Sequence, residues 1–430
     1  MNRKPRVLMI GRRYWPHGSI DSASVLVQTA CAMHRRGVHV EVLTPRYASS
    51  WPESIMVREV PVHRAVSAPR SEWGMGKYMR GLTAWLQQHA ASFDVVYVDS
   101  MREEALVAVD TAKQMGIPTM VRCRGWGRFN DCQWWQTSRL ARRCGAMTRG
   151  ADIVVANSAA VERTLLMEGF EPERIERIVQ GFAASPGRTA IRRHAARQAL
   201  ASANADLVTE SDTPVVLCHA TMSRDQGADL LVRTARPLLI RYPNLRIWFA
   251  GDGPSRDSMY QRLRSDGVRA SIAMPGSFAD AEDLFAAADL YVQCDDEGLE
   301  YFLPTAVASG LPIVAVENVS IRSLLDAESA SDPVRSAQEL EPDHRLVSSC
   351  GRPSDRLEWC STATPKELRL AVSRVLEGMP AATDRAAELR RILLRSRPLS
   401  RTTDAYLGLV ERLSHKAPRD GRAPQAEAVS

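Results

Sequence analysis

Short apolar runs alternate with longer amphipathic stretches along most of the chain. Arg6–Ile10 reads as a buried strand, and from Ser22 to Arg36 the residues Val25, Leu26, Thr29 and Met33 recur at helical spacing. Gly37 ends that helix, and His39–Thr44 forms the next strand. Val95–Val98, Thr119–Arg122, Ile153–Ala156 and Ile175–Val179 are further β-rich runs with helical patterns between them. Parallel strands buried on both faces read as continuous apolar runs, so this rhythm predicts βαβ units in an open α/β sheet.

The pattern then breaks and resumes. Residues 183–213 are rich in Ala, Arg and Ser, contain Pro186-Gly187, and hold at most one polar helix, which suits an interdomain connection. A second series follows: strand Pro214–Cys218, helix Asp229–Arg241, strand Arg246–Ala250 and a helix from Arg256. Strands near Ser271–Met274, Leu290–Gln293 and Ile313–Val316 complete it. The expected organisation is therefore an N-terminal Rossmann-like domain over 1–182, a linker over 183–213 and a second Rossmann-like domain over 214–397. An amphipathic helix over 398–416 and a disordered tail over 417–430 follow. At 430 residues the chain is long enough for two cores.

Composition narrows the class. Fifty-six Lys and Arg against 50 Asp and Glu leave a net charge of +6, too mild a bias over this length to suggest a nucleic-acid binder. The eight cysteines form no Cys-x-x-Cys and no zinc-type spacing, so reduced, mostly buried thiols and no metal are expected. No apolar stretch approaches the ~18 residues that cross a bilayer. Val7–Ile10 is too short for a secretory segment, and the expectation is a soluble, cytoplasmic chain.

In open α/β sheets ligands sit beyond the carboxyl ends of the strands. Four loops in such places carry candidate chemistry. Pro16-His17-Gly18-Ser19 follows the first strand and opens a helix, whose amides suit a phosphate; an ordinary loop–helix junction reads the same way. Ala220–Gly227 follows the first strand of the second series, and Gly251-Asp252-Gly253-Pro254 ends the next. Asp295-Asp296-Glu297-Gly298 precedes a small-residue helix around Leu303–Ser309, and Gly310-Leu311-Pro312 leads into a new strand. Small residues let that helix approach the sheet, with its positive end free for an anion.

Taken in order, these segments resemble the GT-B glycosyltransferases of group 1, the family-four retaining enzymes that use nucleotide-sugars. The matching landmarks are Pro16–Ser19 for the Gly-rich loop, Ala151–Ser158 for "A-D-x-V-V-x-x-S" and Gln180-Gly181-Phe182 for "N-G-V". Gln226–Asp229 fits "K-G-x-D", Gly251–Pro254 fits "G-x-G-P", and Glu297-Gly298 with Ala306–Val314 fits "E-G…E-A-M-A-x-G-x-P-V-V". The resemblance runs from Arg6 to about Leu413. It implies two Rossmann-like domains facing across a cleft, with the last helix returning to the first domain, and no metal. It further implies a UDP- or GDP-type sugar donor and a glycan or lipid-linked acceptor.

The departures fall on the donor site. The family's loop Arg and Lys, which bind the diphosphate, align with Thr221 and Gln226, and the second signature glutamate aligns with Thr305. A pattern Gly is Glu300, and the "N-G-V" Asn is Gln180. Charge developing on a departing diphosphate needs cations or fixed donors, each charge-assisted bond being worth ~1.5–3 kcal/mol. Arg224 is the nearest replacement in the loop. Carried over by position, Glu297 orients the donor sugar. Gly18, Ser19, Thr221, Arg224, Gln226, Gly251, Gly253, Gly298, Leu299 and Thr305 line the donor.

Two basic stretches remain. Arg122–Arg149 interleaves arginines with Trp126, Phe129, Trp134 and Trp135, and Arg122, Arg124 and Trp126 would border the acceptor; core tryptophans on a solvated basic helix are the alternative. Met75–Ala90, with Lys77, Arg80, Leu82, Trp85 and Leu86, reads as a core-packing helix, or as a peripheral contact with anionic lipid. The expected activity is hexosyl transfer from a nucleotide-sugar with retained configuration. The rival is a catalytically degenerate GT-B protein serving as a glycan-binding or partner subunit.

Overall fold

The computed structural model describes residues 3–416 apart from Ala220, 224–226, Ser277 and 328–350. The tail over 417–430 and two expected donor residues, Arg224 and Gln226, lie outside the described residues. The chain divides into two compact units. Unit 1 holds the chain up to Trp15, Ser22–Ile178 and the chain from Thr402 onward; unit 2 holds Pro16–Asp21 and Val179–Arg401.

Unit 1 is built on β1 (Arg6–Ile10), β2 (His39–Leu43), β3 (Ser54–Val57), β4 (Val60–His63), β5 (Val95–Val98), β6 (Thr119–Arg122), β7 (Ile153–Ala156) and β8 (Ile175–Arg177). Their order is β3-β4-β2-β1-β5-β6-β7-β8, and every pairing is parallel except β3 with β4. The two-residue pleat sorts the core. Leu8, Ile10, Val96, Val98 and Val121 pack on one face with Tyr78, Leu82 and Leu86 of helix Glu72–His89 and Ala105 and Ala108 of helix Glu103–Gln114. Val7, Met9, Val40, Tyr97 and Met120 pack on the other with helix Asp21–Arg35 and the final helix Leu399–Lys416. Tyr406, Leu409, Val410 and Leu413 of that last helix are buried there, Tyr406 edge-on to Tyr97 at 5.8 Å.

The β3–β4 hairpin has no counterpart among the strands expected from the sequence. Its two-residue turn, Arg58-Glu59, has φ +47° and +72°, the geometry of a type I′ turn usually marked by Asn-Gly. Here ordinary side chains occupy it, so the local signal is missing.

Unit 2 is built on β9 (Val215–His219), β10 (Arg246–Ala250), β11 (Ile272–Gly276), β12 (Leu290–Gln293), β13 (Ile313–Val316) and β14 (Glu358–Cys360), all parallel in the order β11-β10-β9-β12-β13-β14. The segment 183–213 contains helix Ala190–Ala203 and counts with this unit. Its arginines have a structural use. Arg188, Arg193 and Arg197 all reach the Asp289 carboxylate, which also accepts the Val215 amide at 2.9 Å. Burial lowers Arg197 to about 10, against the pull of Asp289. Among the described residues the seven cysteines are buried free thiols, and no helix is long and apolar enough to cross a membrane.

Candidate functional site

Unit 2 gathers its polar groups at the carboxyl ends of β9 and β12, where Thr221 and Gly227 meet the loop 294–301. Asp295 organises the second loop. Its Oδ1 accepts the Glu297 amide at 3.0 Å, and its Oδ2 accepts the Gly227 amide at 3.0 Å at the start of helix Gly227–Arg241. A Cβ on Gly227 would lie 2.6 Å from the Cβ of Cys294, so only glycine allows this approach. Gln293 adds hydrogen bonds from its side-chain amide to the carbonyls of Asp295 and Glu297.

The Glu297 carboxylate is therefore held from behind, and Thr221 holds it from the front. The Thr221 amide donates to Glu297 Oε2 at 2.8 Å and the Thr221 hydroxyl donates to Oε1. The position where the resembling family has arginine carries a neutral residue that fixes the glutamate. The turn Gly251–Pro254 supports the same loop: Met222 N donates to Asp252 O at 3.2 Å, and a Cβ on Gly253 would fall 2.4 Å from Met222 O. Gly251 makes an isolated bridge to Gly276.

His219 closes β9 and is buried. Its ring stacks on Phe302 at 3.5 Å between centroids, and Nε2 lies 2.9 Å from the Ser19 carbonyl. A carbonyl only accepts, so Nε2 carries the hydrogen and Nδ1 is the bare nitrogen. Burial pushes the imidazole down to about 4, leaving it neutral at pH 7. Gly298, at φ +79°, is forced beside it: a Cβ there would lie 3.0 Å from Nδ1.

The helix Phe302–Ser309 carries its own anion. Asp21 accepts the amides of Tyr301 at 2.8 Å and Phe302 at 3.2 Å on Oδ1, and of Glu300 at 3.0 Å on Oδ2. Burial and the neighbouring Glu300 carboxylate raise the Asp21 pKa, against the three amides. A Cβ on Gly18 would sit 2.5 Å from Ala279 O, so the close approach its lack of side chain permits is to protein backbone. Ser19 is buried with its carbonyl on His219.

Thus Glu297, Thr221, Gly298, Leu299 and Thr305 lie on two adjoining segments, with Gly18, Ser19, Gly251 and Gly253 packed around them in the same unit. Leu299 has its side chain in the core, and the Thr305 hydroxyl bonds to the Tyr301 carbonyl at 2.6 Å. Arg122, Arg124 and Trp126 belong to unit 1. Arg122 is buried on Asp99 at 2.7 Å, so its charge is balanced internally, and Trp126 is a buried core residue. Arg124 is half-buried, its guanidinium 3.1 Å from the Ser22 hydroxyl. Asp21, His219 and Asp295 were not on the expected list. Asp295 was legible as an acidic residue two before Glu297, while Asp21 and His219 act on residues about 280 and 200 positions away.

Residues 22–181 match the family model described as a glycosyl transferase 4-like domain, and residues 213–339 match the one described as glycosyl transferases group 1. The chain belongs to the group 1 glycosyltransferases. A lipopolysaccharide core biosynthesis glycosyltransferase, LpsE of Rhizobium meliloti (strain 1021), is 24% identical over 171 residues, 40% of this chain. That match spans 45% of the relative's length. Among solved structures, Anabaena Alr3699/HepE in complex with UDP and glucose aligns with a TM-score of 0.67 at 15% identity, covering 95% of this chain and all of that one. WaaG, a glycosyltransferase involved in lipopolysaccharide biosynthesis, aligns with a TM-score of 0.60 at 16% identity over 94% of this chain and 99% of its own. These neighbours share the GT-B fold, the architecture of paired parallel α/β sheets found in this group 1 chain.

Proposed function

We propose that this group 1 glycosyltransferase moves a hexosyl unit from a nucleoside-diphosphate sugar, of UDP or GDP type, to a glycan or lipid-linked acceptor with retained anomeric configuration. Unit 2 takes the donor and unit 1 the acceptor. The observation that carries the reading is the fixed Glu297 carboxylate: two donors from Thr221 and the Asp295-anchored backbone hold it in one orientation. A carboxylate whose geometry is set before substrate arrives can accept sugar hydroxyls without reorganisation, which is the source of its value in a transition state. The UDP and glucose held by the HepE structure favour UDP-glucose as the first donor to try.

The arrangement also changes how the donor diphosphate would be met. The amides of Glu300, Tyr301 and Phe302 are taken by Asp21, so the Gly298 and Leu299 N–H groups would meet the phosphates instead. The first test is a donor screen by hydrolysis, wild type against Glu297→Ala. Turnover of at least one UDP- or GDP-sugar is expected, with a loss of about 10²-fold or more in kcat in the variant. Full activity in Glu297→Ala would remove Glu297 from the site. Thr221→Val, which deletes the hydroxyl donor and keeps the shape, should lower kcat by about tenfold with a smaller change in KM.

A second reading rests on a specific feature: the family's two loop cations are replaced, and the helix terminus is already filled by Asp21. It makes the chain a binding or partner subunit. Nucleotide-sugar protection against heating separates the two, since absence of any shift with UDP-, GDP- and ADP-sugars favours the subunit.

A further inference from the structure

A cavity of about 870 Å³ opens in unit 1 between helix Glu72–His89 and the segments that follow β2 and β4. Its position is the one open α/β sheets use for ligands, beyond the carboxyl ends of strands. Arg46, Arg70, Lys77 and Arg80 line it, and among the described side chains no carboxylate does. Arg46 is paired with Glu53 at 3.1 Å, but Arg70, Lys77 and Arg80 have no carboxylate partner among the described side chains. Arg64, next in sequence to the wall residue Ala65, is buried with its guanidinium over the Trp51 ring at 4.7 Å and likewise has no carboxylate there. Among the described side chains the charge of Arg70, Lys77 and Arg80 is therefore uncompensated, and an anion entering the cavity meets forks and an ammonium without displacing a described partner.

The rest of the wall is suited to a sugar. Trp85 is held by stacking on His89 at 4.4 Å, and Tyr47 is fixed by its hydroxyl on the Arg12 carbonyl at 2.7 Å. Rigid aromatic surfaces beside hydroxyls accept the alternating apolar and polar faces of a pyranose. The apolar side of helix Glu72–His89, Tyr78, Leu82 and Leu86, is buried in the core of unit 1 and is not available as a membrane-seeking face.

We infer that this cavity binds an anionic sugar, a phosphate- or carboxylate-bearing residue of the acceptor glycan, through Arg70, Lys77 and Arg80. The inference rests on the transferase reading for the word acceptor, while binding itself can be measured without turnover. The test is calorimetric titration of the full chain with glucose 6-phosphate, glucuronic acid, glucose and inorganic phosphate, in wild type and in K77A/R80A. At least one charged sugar should bind, glucose should bind at least tenfold more weakly, and K77A/R80A should weaken the charged sugar by about tenfold or more. The swapped pair K77R/R80K, which keeps both charges, should retain binding and so excludes a folding defect. Glucose 6-phosphate preferred over glucuronic acid assigns the anion as phosphate, and the reverse order assigns it as carboxylate.

Equal affinity of the wild type and K77A/R80A for the charged sugars overturns the inference. So does inorganic phosphate binding as tightly as the sugar phosphate, because the aromatic wall then contributes nothing. Trp73, 94% exposed on the same helix, makes an anionic bilayer the competing ligand. If wild type binds phosphatidylglycerol vesicles and no charged sugar, and K77A/R80A loses only the vesicles, the surface is a membrane contact and the sugar site is wrong. Donor hydrolysis by the wild type, measured separately, reports on the transferase reading alone, so the two failures are distinguishable.

Discussion

Acid should loosen unit 2 through one imidazole. His219 is buried, with Nε2–H on the Ser19 carbonyl, Nδ1 against Gly298 and one ring face on Phe302, and the folded protein holds its pKa near 4, down from 6.5. Between those values the unfolded chain binds the proton and the folded one does not, so stability rises with pH across the window. The contribution is fully present above about pH 6.5 and is lost as the pH falls toward 4. At ~1.36 kcal/mol per unit the whole swing is about 3 kcal/mol. Urea denaturation of the full chain at several values between about pH 4.5 and 7.5, wild type beside His219→Gln, isolates the term. Glutamine can still donate an amide N–H toward Ser19 but does not titrate. The wild-type advantage should shrink steadily with acid, and the ring carbon signals of His219 should show no titration above about pH 5. A stability difference independent of pH, or a His219 titration near 6.5, would refute the burial argument.

Two further perturbations test other parts of the fold. Asp289→Ala leaves Arg188, Arg193 and Arg197 facing one another without their shared carboxylate, and should destabilise unit 2 by ~3–5 kcal/mol in denaturant titration. Arg58→Asn together with Glu59→Gly puts the preferred residues into the left-handed β3–β4 turn and should stabilise unit 1 by ~1 kcal/mol, seen as a higher denaturation midpoint.

The strands of the two sheets were legible because each is a short run buried on both faces. Arg6–Ile10, Val95–Val98, Thr119–Arg122 and Leu290–Gln293 stand at the residues their apolar runs mark. Others slipped where the chemistry is polar or the run is broken. His219 extends β9 beyond Cys218, and β14, Glu358–Cys360, is three residues on a sheet edge with no run to read. Of the candidate site, Glu297 and its glycine turn could be found from local spacing. The long-range bonds around that segment could not. Thr221 and Asp21 make their bonds to residues 76 and about 280 positions away, and nothing in a local window announces such a pairing. The basic stretch beginning at Arg122 divides the same way. Its first arginine is a buried counterion to Asp99, whereas Arg70, Lys77 and Arg80 line a cavity and have no carboxylate partner among the described side chains.

The last helix, Leu399–Lys416, seals a face of the first sheet with Tyr406, Leu409, Val410 and Leu413. During synthesis the chain through Ile178 therefore emerges with that face covered by helix Asp21–Arg35 alone, and Tyr97 lacks its Tyr406 neighbour until the far end leaves the ribosome, roughly ten to fifty seconds later. For that interval the nascent protein is a half-covered sheet that chaperones must shield. A stop codon ahead of Leu399 would make the exposure permanent and send the product to aggregates or proteases.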